Sequence, residues 1–278
     1  MNPLENTTIA VIGAGRIGQA ILRGLRECGP KLIGTGRRRE TIRAVEEIGA
    51  RALLDNRRAA EEADIIIVSV KPYQFPDIVP DVAPASRGKL LISVVAGVAI
   101  HTLLEAFPAA YIVRAMPNIN SLIGKSTTAI AVAPGVPEDQ VRLAEKVFEC
   151  LGTVYRIPEE WFDTWTALVG SSPAFLAEII DGLVLGAVMT GMPRELAYKA
   201  LLDAIKATAE HLMLAPLHPL QLRDEVTTPA GTTIHGLRVL EARGVKAGLM
   251  EVIERSSRRG AELARQIDEA VRRELKRS

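Results

Sequence analysis

Cysteine is scarce in this chain, with only Cys28 and Cys150 among 278 residues. Two thiols so far apart have no metal-ligand spacing. They are expected to be buried free thiols in a reducing compartment, and the cytoplasm is the expected location. Charge of one sign is also missing: 34 basic side chains stand against 33 acidic ones, a net charge of +1. That removes any global electrostatic pull toward nucleic acid or an anionic membrane. The basic end of the chain, with Arg272, Arg273, Lys276 and Arg277, is interleaved with Glu269 and Glu274, as on a solvated helix end. No apolar stretch is read as reaching the roughly 18–20 residues that span a bilayer, so no membrane association is expected. The N-terminus carries Glu5 before its first apolar run and no basic segment, unlike a signal peptide. There is no metal-ligand cluster, no nucleophile elbow, no internal repeat and no low-complexity tract.

What is present is an ordinary globular composition, 48% hydrophobic and 24% charged, on a chain long enough for one or two domains. The first half alternates β-branched runs with helical patterns. Strands are expected at residues 7–12, 31–35, 65–70, 89–95, 110–114, 127–133 and 153–156, and helices at 16–28, 38–48 and 138–150. Val and Ile runs without polar alternation imply burial on both faces, hence a mostly parallel sheet flanked by helices. Near Ile157-Pro158-Glu159-Glu160 the pattern changes. Long helical patterns follow at residues 161–170, 173–189, 194–214, 233–242 and 246–275, punctuated at 216–219 and 227–231. A boundary at residue 157 separates an α/β domain (1–157) from a helical one (158–278). The second half is rich in Leu, Ala, Ile and Val, and five apolar-striped helices must pack on something, either covering the sheet domain or forming a subunit interface; the interface is favoured.

Gly13-Ala14-Gly15-Arg16-Ile17-Gly18 directly follows the first expected strand and opens a helix, the context a dinucleotide-binding turn requires. The first glycine permits the tight turn and the second lets a pyrophosphate approach the backbone. The third allows close helix–sheet packing. Free amide N–H groups at the helix start then face the anion. The first domain is therefore read as a doubly wound Rossmann domain. After the second strand come Gly34-Thr35-Gly36-Arg37-Arg38-Arg39, and no acid stands between Glu27 and Glu40. Guanidinium forks match a 2′-phosphate, whereas an acid would bond a free ribose hydroxyl. NADPH is thus the expected cofactor, with NADH as a weaker substitute, and Thr35, Arg37 and Arg38 face the phosphate. Ser69-Val70-Lys71-Pro72 and Val94-Val95-Ala96-Gly97-Val98 end two further strands, where ligands of such sheets bind. For Lys71, a plain surface lysine is an equal reading from position alone.

Together these residues resemble the pyrroline-5-carboxylate reductase family, which catalyses the last step of proline biosynthesis. The resemblance runs from about Thr8 to Leu263. Its most specific piece is the stretch from Val226 to Leu237, Val-Thr-Thr-Pro-Ala-Gly-Thr-Thr-Ile-His-Gly-Leu. Ser69-Val70-Lys71-Pro72, Arg114-Ala115-Met116-Pro117-Asn118 and Gly170-Ser171-Ser172-Pro173-Ala174-Phe175 support it. Three departures stand out: Ala230 where the signature usually has a second Gly, Ser172 in place of a common Gly, and Ile119-Asn120 in place of Thr-Pro. The resemblance implies reduction of a cyclic imine by hydride transfer, and helical domains that interlock in dimers, often within larger rings. It implies Asn56, Val70, Lys71, Pro72, Ala96, Gly97 and Asn118 at the cofactor, and Met116, Pro117, Thr228, Ala230, Gly231, Thr232 and Thr233 at the substrate. Thr233 becomes the catalytic candidate.

The chemistry suits this set. An iminium carbon is already electrophilic, so neither a metal nor a covalent nucleophile is required. The 229–233 loop offers backbone N–H groups at a helix start to a ring carboxylate, with Thr228 as a candidate cap. Without the resemblance, an ordinary capped helix start is the plainer reading. His235 is two residues past Thr233 and points elsewhere on a helix. His101, His211 and His218 have no partner motif, and Trp161 and Trp165 share a packing face. A β-hydroxyacid dehydrogenase needs a general acid–base pair, commonly Lys with Asn four residues on. Lys199 and Lys206 have Asp203 and Glu210 there instead. A related imine reductase acting on another ring acid, and a non-enzymatic NADPH-binding regulator, remain as alternatives.

Overall fold

A computed structural model describes residues 3–215 and 217–277; Pro216, part of the expected 216–219 break, lies outside them. The chain forms two compact units, Met1–Gly170 with Ser256–Ser278, and Ser171–Arg255.

The first unit is built on an eight-stranded sheet. Its strands are β1 (Thr8–Ile12), β2 (Lys31–Thr35), β3 (Arg51–Leu53), β4 (Ile65–Val68), β5 (Leu90–Ser93), β6 (Tyr111–Met116), β7 (Ser126–Val132) and β8 (Gly152–Arg156). The order is β3-β2-β1-β4-β5-β6-β7-β8, and every neighbouring pair is parallel except β6 and β7. The expected mostly parallel sheet is therefore found. Ile, Leu and Val fill β4 and most of β5, and all eight residues of these two strands are buried, as strands covered on both faces require.

Alternation along β1 shows how the two cores are filled. Ile9 and Val11 pack on one face with Ile21 and Leu25 of α1 (Arg16–Arg26), Val45 of α2 (Arg39–Ile48) and Phe148 of α6 (Glu138–Glu149). Ala10 and Ile12 turn to the other face. There they meet Ala59 of α3 (Asn56–Glu62), Phe75 of α4 (Phe75–Val82), Leu103 of α5 (Ile100–Ala106) and Val271 of α12 (Val245–Leu275). Sequence patterning missed α3, α4 and α5, which are only seven or eight residues long, and β3, which is three. Lys89 fixes the end of α3: its Nζ donates to the carbonyls of Ala60 and Glu61 at 2.8 and 2.9 Å. Burial pushes its amine below the usual lysine value, while Asp64 and Glu61 pull it back up.

Two expectations are overturned. Cys28 and Cys150 are joined in a disulfide rather than being free thiols. They follow α1 and α6, which lie on the same face of the sheet, so a sequence separation of 122 collapses to a Cα–Cα distance of 6.2 Å. Second, the helical run Glu159–Met189, with a mean hydropathy of 1.6 in its most apolar window, is long and apolar enough to cross a membrane by length and composition. Sequence punctuation predicts separate helices, one ending at Gly170 and the next starting at Pro173. Instead a π-helical turn, Thr166–Gly170, carries the winding on, and Pro173 falls in the first turn of α8 (Ser172–Met189), where proline is tolerated. Of the tryptophans in this run, Trp165 packs on Tyr155, ring centroids 5.5 Å apart, and Trp161 remains exposed.

The second unit is helical: α8, α9 (Arg194–Leu214), α10 (Pro219–Val226), α11 (Thr232–Ala242) and the first part of α12. Among its described hydrophobic residues only Val184 and Ala197 are buried. Leu183, Met189, Leu196, Met213, Val239 and Met250 face outward. A unit with its apolar residues outside needs a covering surface.

Candidate active site

In the first unit a cleft of about 380 Å³ lies at the carboxyl ends of β1, β2 and β4. It gathers Gly13, Ala14, Gly15, Arg16, Ile17, Thr35, Arg37, Arg38, Asn56, Val70, Lys71, Pro72 and Ala96. These are most of the residues singled out for a dinucleotide.

The three glycines occupy three different environments. Gly13 has φ +88°, and a Cβ there would stand 2.6 Å from Val70 Cγ1 and 3.2 Å from the Ser69 carbonyl. A Cβ on Gly18 would meet the Gly13 carbonyl oxygen at 2.8 Å and Val11 at 3.1 Å, so α1 packs too closely on the turn for any side chain. A Cβ on Gly15 would meet nothing within 4 Å. It is the N-cap of α1 and has no side-chain cap. The helix start is thus left open where an anion is favoured.

Thr35 has a role that the sequence did not disclose. Its side chain is buried, and Oγ1 accepts the Gly13 N–H at 2.9 Å, while its carbonyl accepts the Ala14 N–H at 2.6 Å. The β2 end thereby holds the glycine turn in place. Arg37 is exposed and its Nη2 lies 3.3 Å from Asp77 Oδ2, a carboxylate on α4. Asn56 opens α3, behind an Asp55 cap whose Oδ1 accepts the Arg58 N–H at 3.0 Å. The Lys71 backbone N–H donates to Gln74 Oε1 at 3.3 Å. Leu54, Tyr73 and Gln74 also line the cleft; none had been singled out, because exposed residues beside loops carry no periodic signal.

Gly18, Gly97, Met116, Pro117 and Asn118 do not line this cleft. Gly97 has φ +78°, and a Cβ would strike Ile267 of α12 at 2.9 Å. Asn118 is buried and bonded through both amide atoms: its Oδ1 accepts N–H groups of Asn120 and Thr127, and its Nδ2 donates to the Val169 carbonyl in the π-helical turn at 3.4 Å. Nearby, Arg114 of β6 donates to Glu159 Oε1 at 2.7 Å and stacks over Phe162 at 4.5 Å. The same Glu159 oxygen accepts the Ile100 N–H at 2.8 Å, where α5 begins. Burial raises the carboxyl of neighbouring Asp163 above its usual range, with Arg114 and Arg265 opposing. His101, expected to lack a partner, has one: its Nε2 is 3.0 Å from Asp268 Oδ2.

In the second unit the signature loop precedes α11. Thr228 does not cap that helix; the N-cap is Gly231, with no side-chain cap. The reason is local geometry: the Thr228 carbonyl accepts the Gly231 N–H at 3.1 Å, closing a turn before the helix. Ala230 has φ +54° and is the single non-glycine residue with positive φ among those described. Thr233 Oγ1 donates to the Val226 carbonyl at 3.2 Å. Thr233 lines a concavity of about 610 Å³ with Ala207, Thr208, His211, Leu212, Arg223 and Val226. Thr228, Ala230 and Thr232 are exposed beside it. His235 Nδ1 contacts the Gly231 carbonyl at 2.9 Å, and His218 caps α10. Lys199 pairs with Glu195 at 2.9 Å on the surface, so the acid–base pair of a hydroxyacid dehydrogenase does not form there.

Comparison with known proteins bears on both units. Residues 159–263 match the family model described as pyrroline-5-carboxylate reductase dimerisation, and residues 8–97 match one described as NADP oxidoreductase, coenzyme F420-dependent. The pyrroline-5-carboxylate reductase of Thermus thermophilus is 39% identical over 92% of this chain and 98% of its own. That of Synechocystis sp. is 34% identical over the same shares. Among solved structures, the pyrroline-5-carboxylate reductase of Coxiella burnetii superposes with a TM-score of 0.86 at 28% identity, over 93% of this chain and 98% of that one. The Plasmodium falciparum pyrroline carboxylate reductase, solved with NADP bound, gives 0.83 at 26% identity, over 95% and 99%. On sequence, fold and cleft alike, the chain belongs to the pyrroline-5-carboxylate reductase family.

Proposed function

We propose that this protein reduces Δ1-pyrroline-5-carboxylate to L-proline, with NADPH as the preferred hydride donor and NADH as a weaker one. The observation that carries the reading is the pairing, in one chain of this family, of an open glycine turn under arginines with the Thr233 loop. In this reading Gly13, Ala14, Gly15, Arg16 and Ile17 receive the pyrophosphate at the start of α1, where Gly15 leaves the approach clear. Thr35, Arg37 and Arg38 hold the 2′-phosphate, Asn56 the adenosine side, and Val70, Lys71, Pro72 and Ala96 the opposite wall. Gly18, Gly97 and Asn118 act indirectly, through close packing and the loop after β6.

The cofactor, when bound, supplies the hydride. The protein's own work is to hold the ring and its nitrogen. Backbone N–H groups of Ala230, Gly231 and Thr232, with Thr228 in the same loop, suit a ring carboxylate; Met116 and Pro117 are the substrate residues proposed in the first unit. The Thr233 hydroxyl proton is directed at Val226, which leaves its oxygen lone pairs to accept an N–H from a protonated imine. Thr233 thus aligns the iminium and is not a strong acid. Function divides near residue 157, with the cofactor residues before it and the Thr228–Thr233 loop and dimerisation after it; Met116 and Pro117 are the proposed substrate residues that precede it. A homodimer is the building unit, compatible with larger closed assemblies; the cytoplasm is the proposed location on the ground of the relatives, since the Cys28–Cys150 bond removes the free thiols that pointed to it.

The test is NADPH oxidation against a panel of cyclic imino acids, with L-proline identified as product. Turnover of another ring alone would replace the substrate. Binding of NADPH without turnover of any ring would favour a regulator.

A further inference from the structure

The cofactor cleft carries a contact at odds with a pure phosphate-binding role. Arg37 sits on the β2 side of the mouth. Asp77, in the first turn of α4, sits on the other side, between the cleft-lining Gln74 and Ile78. Their side chains meet at 3.3 Å across the opening, and both are well exposed, at 69% and 62%. An ion pair so solvated contributes little to stability, so it opens easily. It nevertheless places a carboxylate where an incoming 2′-phosphate must compete for the same guanidinium.

We propose that Asp77 is a specificity-determining positioning residue. It holds Arg37 across the cleft mouth until a 2′-phosphate displaces it, and its charge then opposes the bound phosphate. Asp77 thereby limits the preference for NADPH over NADH. A dinucleotide with a free 2′-hydroxyl neither needs Arg37 nor meets Asp77 with charge, so its affinity is untouched. The inference rests on the reading of Arg37 as a 2′-phosphate ligand.

Calorimetric titration of the purified full-length protein with 2′,5′-ADP and with 5′-AMP separates the two claims without turnover. Asp77→Asn, isosteric and exposed, is expected to tighten 2′,5′-ADP about three- to tenfold at low salt, from a single charge acting through water at a few ångströms. It leaves 5′-AMP unchanged, and the gain shrinks as salt is added. Asp77→Glu, which keeps the charge, retains wild-type binding. In an Arg37→Ala background the same Asp77→Asn change gains less, because no guanidinium is released. If Asp77→Asn fails to tighten 2′,5′-ADP while Arg37→Ala weakens it, the role of Asp77 is overturned and that of Arg37 stands. If Arg37→Ala leaves 2′,5′-ADP binding unchanged, the phosphate assignment falls and this inference with it.

Discussion

Replacing Ala230 by glycine tests whether the signature loop is held under strain. Ala230 has φ +54°, in the left-handed region where an L-residue with a Cβ costs about 1–2 kcal/mol. Glycine removes that cost but adds freedom to the unfolded chain, which offsets about 0.4–1 kcal/mol. The methyl group is exposed, so its removal forfeits no packing. The net expectation is a gain of about 0.5–1 kcal/mol for Ala230→Gly, from the difference of those two costs. For a chain of this size that is roughly 1–4 °C in melting temperature. Ala230→Val goes the other way, because a β-branched residue is a genuine outlier at positive φ. The assay is thermal unfolding at one fixed protomer concentration, since assembly shifts the apparent midpoint. The expected order is glycine, alanine, valine from most to least stable. A lower midpoint for Ala230→Gly, or no loss for Ala230→Val, would refute the argument that the native loop pins this residue in the left-handed region.

Five other substitutions test the structure. Gly15→Ala is expected to fold normally, since a Cβ there meets nothing, yet to weaken NADPH binding in a fluorescence titration. Gly18→Ala is expected to lower the melting temperature first, because its Cβ would clash with the Gly13 carbonyl; the reverse pattern would unseat the roles given to the two glycines. Thr233→Val keeps shape and removes the hydroxyl, and steady-state kinetics should show kcat down about tenfold with NADPH affinity retained, below the ~10²–10³ typical of donors to developing charge. Wild-type turnover would remove Thr233 from the reaction. For Asp163, burial raises the folded-state value above the unfolded 3.8, so the folded state binds more protons and stability falls as pH rises through that window. Asp163→Asn should flatten this segment of a pH–stability profile, and an unchanged profile would argue against desolvation of this half-buried carboxyl. Finally, reductant or Cys28→Ser should destabilise the first unit by about 2–4 kcal/mol, the usual range for a disulfide closing a long loop. Identical melting with and without reductant would count against the Cys28–Cys150 bond.

The glycine turn after β1 was legible because its requirements are local. A β-branched strand, three glycines at fixed spacing and a helix start stand next to one another in the chain, and the absence of an acid after β2 is read from the same few residues. The change from β-branched runs to long apolar helical stripes near residue 157 was equally visible, since periodicity reports which face of an element is buried. The Thr233 loop was recognisable by resemblance, and there the geometry added the Val226 acceptor for its hydroxyl and the strained Ala230.

Other features depend on which faces meet, and nearest-neighbour sequence does not encode that. Thr35 reaching the Gly13 N–H joins residues 22 apart, and Asp77 meeting Arg37 joins residues 40 apart. The Cys28–Cys150 bond exists because α1 and α6 cover one face of the sheet. The antiparallel run of β7 against β6 follows from the short connection, residues 117–125, that joins them, which is too short for the crossover a parallel pair needs. The sequence by itself determined the longer elements, the glycine turn between β1 and α1, and the family. Tertiary packing alone decided which distant side chains hold that turn, cross its mouth and lock its helices together, because such contacts arise only once apolar faces have been buried against one another.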